Sequence, residues 1–231
     1  MQLTYIFLFI IMLVSAGYCN TQDILFLIHG LHGAKKDMEK IGSEFSEQYQ
    51  IVNFSYPSTN FPIEILVNSY LKPEISKYLN ARNIHFITHS MGGILLRLYL
   101  KDYTINNLGK IIMISPPNQG SEVADFFYKT FFYKLRYGPA GSEVTTAGIN
   151  ALSLPTNLKT DVGIIAGSGT QLPFFSWFIK GKDDGKISAE KTKLDNMSDF
   201  IVLPYSHDTI IFKNKTIIRI RNFLLNSSFS N

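Results

Sequence analysis

The segment that most restricts the fold is 24–28, Ile-Leu-Phe-Leu-Ile, which is apolar at every position. Successive side chains of a strand point to opposite faces, so an unbroken apolar run describes a strand covered on both sides, as in a parallel sheet flanked by helices. Further largely apolar, strand-like segments fall at 51–54, 84–88, 110–114 (KIIMI), 162–166 and 200–203. Helix-period stretches lie between them. Residues 37–47 put Met38, Ile41 and Phe45 on one side, a helix runs through 93–99, and 216–225 offers Ile217, Ile218, Phe223 and Leu224 to a sheet. The pattern over 63–79 is also helical, but Pro73 inside it predicts a kink or a break. Strands alternating with helices make an α/β fold, a mostly parallel sheet with helices on both faces. At 231 residues and 45% hydrophobic, with no internal repeat and no linker-like stretch, residues 20–231 are expected to form a single domain.

One segment breaks this rhythm. About 45 residues, 116–160, separate the fourth strand from the fifth, far more than a strand-to-helix connection needs. The first part holds Phe126, Phe127, Tyr128, Phe131, Phe132, Tyr133 and Tyr137. Aromatics at helical spacing usually belong to a core. The alternative is a small helical cap whose apolar face lines a pocket or touches lipid.

The N-terminus carries its own signal. Residues 6–14 are uninterruptedly apolar and are followed by Ser15, Ala16 and Gly17. Nine residues are too few to cross a bilayer but suit the core of a signal peptide, with cleavage after Gly17 or after Cys19. No Lys or Arg precedes the run, so an uncleaved anchor over 1–19 is the other reading. Either way the protein is expected to be exported, to periplasm or medium, or held at a membrane by its N-terminus. Cys19 is the only cysteine, so the mature domain has no internal disulfide. Its place invites acylation of the thiol, but Tyr18 stands where a lipidated cysteine is normally preceded by a small residue. The net charge of +4 is spread along the chain, without a basic stripe that would point to nucleic acid.

The chemistry concentrates at 84–95, which runs from a strand through a sharp turn at Ser90 into a helix. A serine on such a turn is held in a strained conformation with its hydroxyl clear of the sheet, and small residues two positions either side let strand and helix approach. Gly92 meets that need and Gly93 adds room, while Thr88 stands where glycine is commonest. Three further features agree. Residues 29–33, His-Gly-Leu-His-Gly, directly follow the first strand and can supply a backbone N–H to a developing oxyanion, with a second from the residue after the serine. These donors are Leu31 and Met91. After the fifth strand comes Lys182-Asp183-Asp184-Gly185, where a carboxylate can orient a histidine, and the position before the glycine favours Asp184 over Asp183. After the last strand comes His207, placed to act as general base. Ser168, between two glycines, is a rival nucleophile that no helix follows. A histidine base predicts activity that falls on the acid side near about pH 6 to 7. The chain has no His-Glu-x-x-His, no cysteine pair, no phosphate-binding Gly-Lys loop and no dinucleotide fingerprint, so catalysis without metal or cofactor is expected.

With these residues in place, the chain resembles bacterial α/β-hydrolases of the lipase and esterase type from about Ile24 to Leu225. The resemblance rests on His29-Gly30-Leu31, 88–93, 115–121, 181–186 and 202–207. It implies the α/β-hydrolase fold, a triad of Ser90, Asp184 and His207, and a loop at 115–121 beside the active site. His32, Pro117, Asn118, Phe126 and Phe127 are then expected to bind substrate, a small-molecule or lipid ester, with contact to a membrane surface a further expectation. The oligomeric state is open. The same triad would serve a thioesterase or an acyltransferase. A non-catalytic binding module on this fold would not need three correctly ordered polar residues.

Overall fold

The computed structural model describes residues 22–230 apart from 171, 172 and 178. The expected leader and Cys19 therefore lie outside the described residues. Six strands form one sheet: β1 (Ile24–Ile28), β2 (Gln50–Phe54), β3 (Ile84–His89), β4 (Leu108–Ile114), β5 (Val162–Gly167) and β6 (Asp199–Leu203). Their order is β2-β1-β3-β4-β5-β6 and every neighbouring pair is parallel.

The doubly apolar run at β1 has the consequence expected of it. Ile24, Phe26 and Ile28 enter one buried cluster and Leu25 and Leu27 the other, on the opposite face. In β4 the same alternation sends Ile111 and Met113 one way and Ile112 and Ile114 the other. The first face is covered by α2 (Ile63–Leu66), α3 (Lys72–Ser76) and α4 (Met91–Asp102), the second by α1 (Glu39–Phe45) and α9 (Asn214–Asn226). A 3₁₀ turn, Lys35–Met38, leads into α1, so the first part of the expected helix is wound more tightly. Pro73 does not break its helix. The turn before it, Val67–Leu71, is widened to a π-helix that joins α2 to α3. Proline has no N–H and its ring crowds the carbonyl four residues back, and the wider turn relieves both.

Residues between β4 and β5 fold into α5 (Glu122–Phe127), α6 (Phe131–Glu143) and α7 (Thr146–Leu152), with α6 broken at Gly138. Phe126, Phe131 and Phe132 are exposed, while Ala124, Ala140, Val144 and Ile149 join the first buried cluster and Tyr133 packs against it, so this insert is a cap that is seated on the core and leaves part of its aromatic face outside. Ser121, Thr130 and Thr145 each accept a hydrogen bond from a first-turn N–H and start the three helices. A fourth short helix, α8 (Pro173–Ser176), follows β5. The strand order turns back at β1, which lies between β2 and β3, and in such sheets ligands bind beyond the carboxyl ends of the strands at that point. Leu31, Ser90, Asp184 and His207 each come after the end of a strand.

Candidate active site

Ser90 sits between the last residue of β3 and the first of α4 with φ 51° and ψ −126°, a conformation that side-chain-bearing residues rarely adopt. The surrounding backbone enforces it. The Ser90 N–H donates to the Ile114 carbonyl at 2.9 Å, and the Ser90 carbonyl accepts from Gly93 N–H at 3.0 Å. Helix and β1 come so close that a Cβ on Gly92 would lie 2.6 Å from the Ile28 carbonyl oxygen. Any larger residue there would move the helix off the sheet.

His207 lies beyond β6, and its Nε2 is 2.9 Å from Ser90 Oγ. Its Nδ1 is 2.8 Å from Asp184 Oδ2, and its backbone N–H donates to the Asp184 carbonyl at 2.9 Å. With Nδ1–H donating to the carboxylate, Nε2 is left as the acceptor facing the serine hydroxyl. The other oxygen, Asp184 Oδ1, accepts from the N–H groups of Lys186 (3.0 Å) and Ile187 (2.9 Å). Burial pushes this carboxyl up. The His207 imidazole, its hydrogen bond and the Ile187 N–H outweigh that and hold it below the ordinary carboxylate range, so Asp184 is an anion. Asp183 faces elsewhere: its Oδ1 accepts from Ser176 Oγ at 2.7 Å and Gly185 N–H at 2.8 Å, closing the turn that presents Asp184.

Leu31 and Met91 both line a cavity of about 490 Å³ above Ser90. Met91 opens α4, so its N–H has no intrahelical carbonyl to reach. The loop carrying Leu31 approaches the serine closely, since a Cβ on Gly30 would lie 2.9 Å from Ser90 Cβ. Tyr56 braces that loop, its buried hydroxyl donating to the His29 carbonyl at 2.7 Å and its ring stacked on His29 at 4.2 Å.

Of the residues expected to bind substrate, Pro117 and Phe127 line the cavity and three do not. Phe126 points outward from α5. His32 is held by its N–H to Ser58 Oγ (3.0 Å), with its ring against Tyr137. Asn118 is buried and turned into the protein, where its carbonyl and Oδ1 accept from Arg97 at 3.0 and 3.1 Å and its amide donates to the Thr192 carbonyl at 2.7 Å. Arg97 also reaches the Pro155 carbonyl at 3.1 Å, and burial holds its guanidinium down to about 10. The rival serine, Ser168, hydrogen-bonds Leu203 through its N–H and Oγ and begins no helix.

Sequence reasoning left two contributors unassigned. His89 is buried against His207 and its Nε2–H donates to the His207 carbonyl at 3.0 Å, which ties nucleophile turn to histidine loop. The cap adds Thr130, Phe132, Tyr133, Arg136 and Tyr137 to the cavity wall. Its aromatic composition was the available signal. For His89 the only one was its place beside the serine.

No family model and no curated protein matches the chain by sequence. Solved structures do match in shape. Against the mature form of lipase BlEst2 from Bacillus licheniformis the TM-score is 0.68 at 18% identity, over 90% of this chain and 92% of that one. Against phospholipase PlaB from Legionella pneumophila it is 0.70 at 16% identity, over 90% of this chain and 60% of that one, so the chain spans three fifths of that protein. A metagenomic carboxyl esterase matches at 0.62 and 14% identity, over 84% and 66%. The chain has the α/β-hydrolase fold.

Proposed function

We propose that the protein is a serine hydrolase that cleaves carboxylic esters through an acyl-enzyme. One observation carries the reading: Ser90, on a strained strand-to-helix turn, is hydrogen-bonded to His207, which is hydrogen-bonded to the buried anion Asp184. Ser90 Oγ attacks the ester carbonyl while His207 Nε2 takes its proton. The negative charge that develops on the carbonyl oxygen falls to the N–H groups of Leu31 and Met91. The imidazolium is stabilised by Asp184 and then returns the proton to the departing alkoxide oxygen, which leaves as alcohol. Water enters, His207 takes a proton from it, the hydroxide attacks the acyl carbon, and the acid leaves as Ser90 regains its proton.

The apolar part of the wall of the cavity above the serine includes Leu31, Val123, Phe127, Tyr133 and Val144, which suits an acyl chain. The expectation of export stays with this reading, and its test is the intact mass of the mature protein, which would begin at Tyr18 or Asn20.

The test is labelling of the purified protein with a fluorophosphonate probe and mapping of the modified peptide. Stoichiometric labelling at Ser90 is expected, and Ser90→Ala is expected to lose labelling and about a millionfold in ester turnover. A folded protein in which Ser90 stays unlabelled, or in which the alanine variant keeps near-normal turnover, refutes the assignment.

A further inference from the structure

The cap leaves large side chains in water. Phe131, Phe132 and Leu135 on α6 are 72%, 80% and 73% exposed, and Trp177, just after α8, is 85% exposed. Scattered apolar residues are ordinary on a surface, but three within five positions of one helix form a patch.

The charges left unpaired around the patch are of one sign for a structural reason. The cap's three acids all have partners within the protein, Asp125 at the surface with Thr146 and Lys191. Glu122 accepts from Ser188 N–H, Asp125 from Thr146, and Glu143 from Ile63 N–H at the start of α2. Three of its bases, Lys129, Lys134 and Arg136, lie on or beside α6 and form no ion pair with a carboxylate among the described residues. Lys129 and Arg136 lie instead over the rings of Tyr128 and Tyr137. Near Trp177 the pattern repeats, with Lys180 and Lys182 exposed while Asp183 and Asp184 are buried. The patch is also continuous with the site, because Phe132 is both largely exposed and part of the cavity wall.

We propose that this face docks on an anionic lipid bilayer, with Phe131, Phe132, Leu135 and Trp177 in the interface and Lys129, Lys134 and Arg136 at the level of the lipid phosphates. Aromatic rings interleaved with cations are the composition that an anionic membrane surface receives. A second copy of the chain would set like charges against each other around its apolar contact. Docking stands on the surface alone. That the membrane then feeds the acyl ester past Phe132 into the cavity rests on the ester-hydrolase reading.

The chain has one tryptophan, Trp177, so its emission tests whether the turn after α8 joins the contact. The experiment titrates the protein with vesicles of phosphatidylcholine, alone or with about one third phosphatidylglycerol, at low and high salt. Turnover of a soluble butyrate ester is followed in parallel. Wild type is expected to bind the anionic vesicles with a blue shift in emission and to be released by salt. Lys129→Glu with Lys134→Glu is expected to weaken binding at least tenfold, each lysine near the surface being worth about fivefold. Phe131→Asp with Leu135→Asp is expected to weaken it comparably. Both pairs should retain the wild-type melting temperature and soluble-ester turnover within about twofold.

Failure of wild type to bind, or undiminished binding by both pairs, overturns the proposal. Equal binding to neutral vesicles overturns the electrostatic half, and binding without a blue shift removes Trp177 from the face. A concentration-dependent dimer that the Phe131 and Leu135 pair abolishes assigns the patch to a second copy. A protein that binds vesicles but leaves every ester intact refutes the hydrolase reading and not the docking. One that turns over butyrate but ignores vesicles does the reverse.

Discussion

Asp184→Asn separates the proposed triad from every other use of the same residue. The variant keeps size and shape, and the structure dictates which way the new amide faces. Oδ1 accepts from Lys186 and Ile187 N–H groups at 3.0 and 2.9 Å, so the amide oxygen stays on that side and Nδ2 turns to His207. Nδ2 is a donor, so His207 Nδ1 must become the acceptor and the ring proton moves to Nε2. An Nε2–H facing Ser90 Oγ at 2.9 Å can donate to the serine but cannot take its proton. Loss of the anion also removes the partner of the imidazolium formed in the transition state. A fall in kcat of about ten-thousandfold is expected, about 5.4 kcal/mol at 1.36 kcal/mol per decade, with KM little changed. Steady-state hydrolysis of a chromogenic acetate ester measures it, and the melting temperature shows that the fold persists. Asp183→Asn is the control. It weakens the turn at Gly185, costs stability of about 1 to 3 kcal/mol, and leaves kcat within about tenfold. A folded Asp184→Asn protein within tenfold of wild type, or a reversed order of the two variants, refutes the assignment of Asp184 and the tautomer argument with it.

Other consequences can be read at the bench. Gly30→Ala would bring a methyl to 2.9 Å from Ser90 Cβ, push the Leu31 N–H away and cost about a hundredfold to a thousandfold in kcat, with KM nearly constant; normal kcat would mean that this loop does not serve the oxyanion. Tyr56→Phe leaves the buried His29 carbonyl without its 2.7 Å partner, and denaturant unfolding should show a loss of about 1 to 3 kcal/mol. His89 is held down to about 3, by burial first and then by His207 and Lys186, against an ordinary value of 6.5. Between these values the unfolded chain binds a proton that the folded chain refuses, so stability rises with pH and is lost on acidification by up to about 1.4 kcal/mol per unit. His89→Asn should flatten the stability profile between about pH 4 and 6, leaving the contributions of His29 and His85, whose buried rings are shifted in the same direction. An unchanged profile from urea unfolding would exclude His89 as a source.

What could be read in the sequence, and what could not, follows from how local each signal is. The central strands were legible because burial on both faces leaves a short apolar run bounded by turn residues. The turn at Ser90 was legible because strand, serine and small residues are consecutive. The widened turn at Val67–Leu71 was not, since Pro73 announces a disturbance without saying whether the helix breaks or absorbs it. Adjacency in sequence misled at 117–118. Pro117 faces the cavity, while Asn118, one residue on, is drawn inward by Arg97, a buried cation with carbonyl and amide oxygens around it. A lone arginine in the apolar helix stretch 94–100 was the available hint. Between Asp183 and Asp184 only position could choose. The structure separates them by turning one to the histidine and the other to Ser176.

Thr88 shows how a departure from a motif can be read physically. The commonest glycine two residues before the serine makes room for the helix that follows. Here Thr88 is fully buried and the room comes from the other side, since a Cβ on Gly93 would lie 3.2 Å from Thr88 Oγ1 and 3.3 Å from Pro116 Cβ. The bulk has moved from the helix to the strand across one contact. The Thr88 hydroxyl finds no hydrogen-bond partner there, so its place is a matter of volume and not of polarity. The two positions should therefore be coupled. Gly93→Ala alone should be destabilising, because neither Thr88 nor Pro116 sits at the end of a flexible side chain. Paired with Thr88→Gly it should regain part of the loss, giving an interaction energy of about 0.5 to 3 kcal/mol. Strict additivity in that double-mutant cycle would show that threonine and glycine do not compensate each other, and that the elbow tolerates Thr88 for a reason unrelated to Gly93.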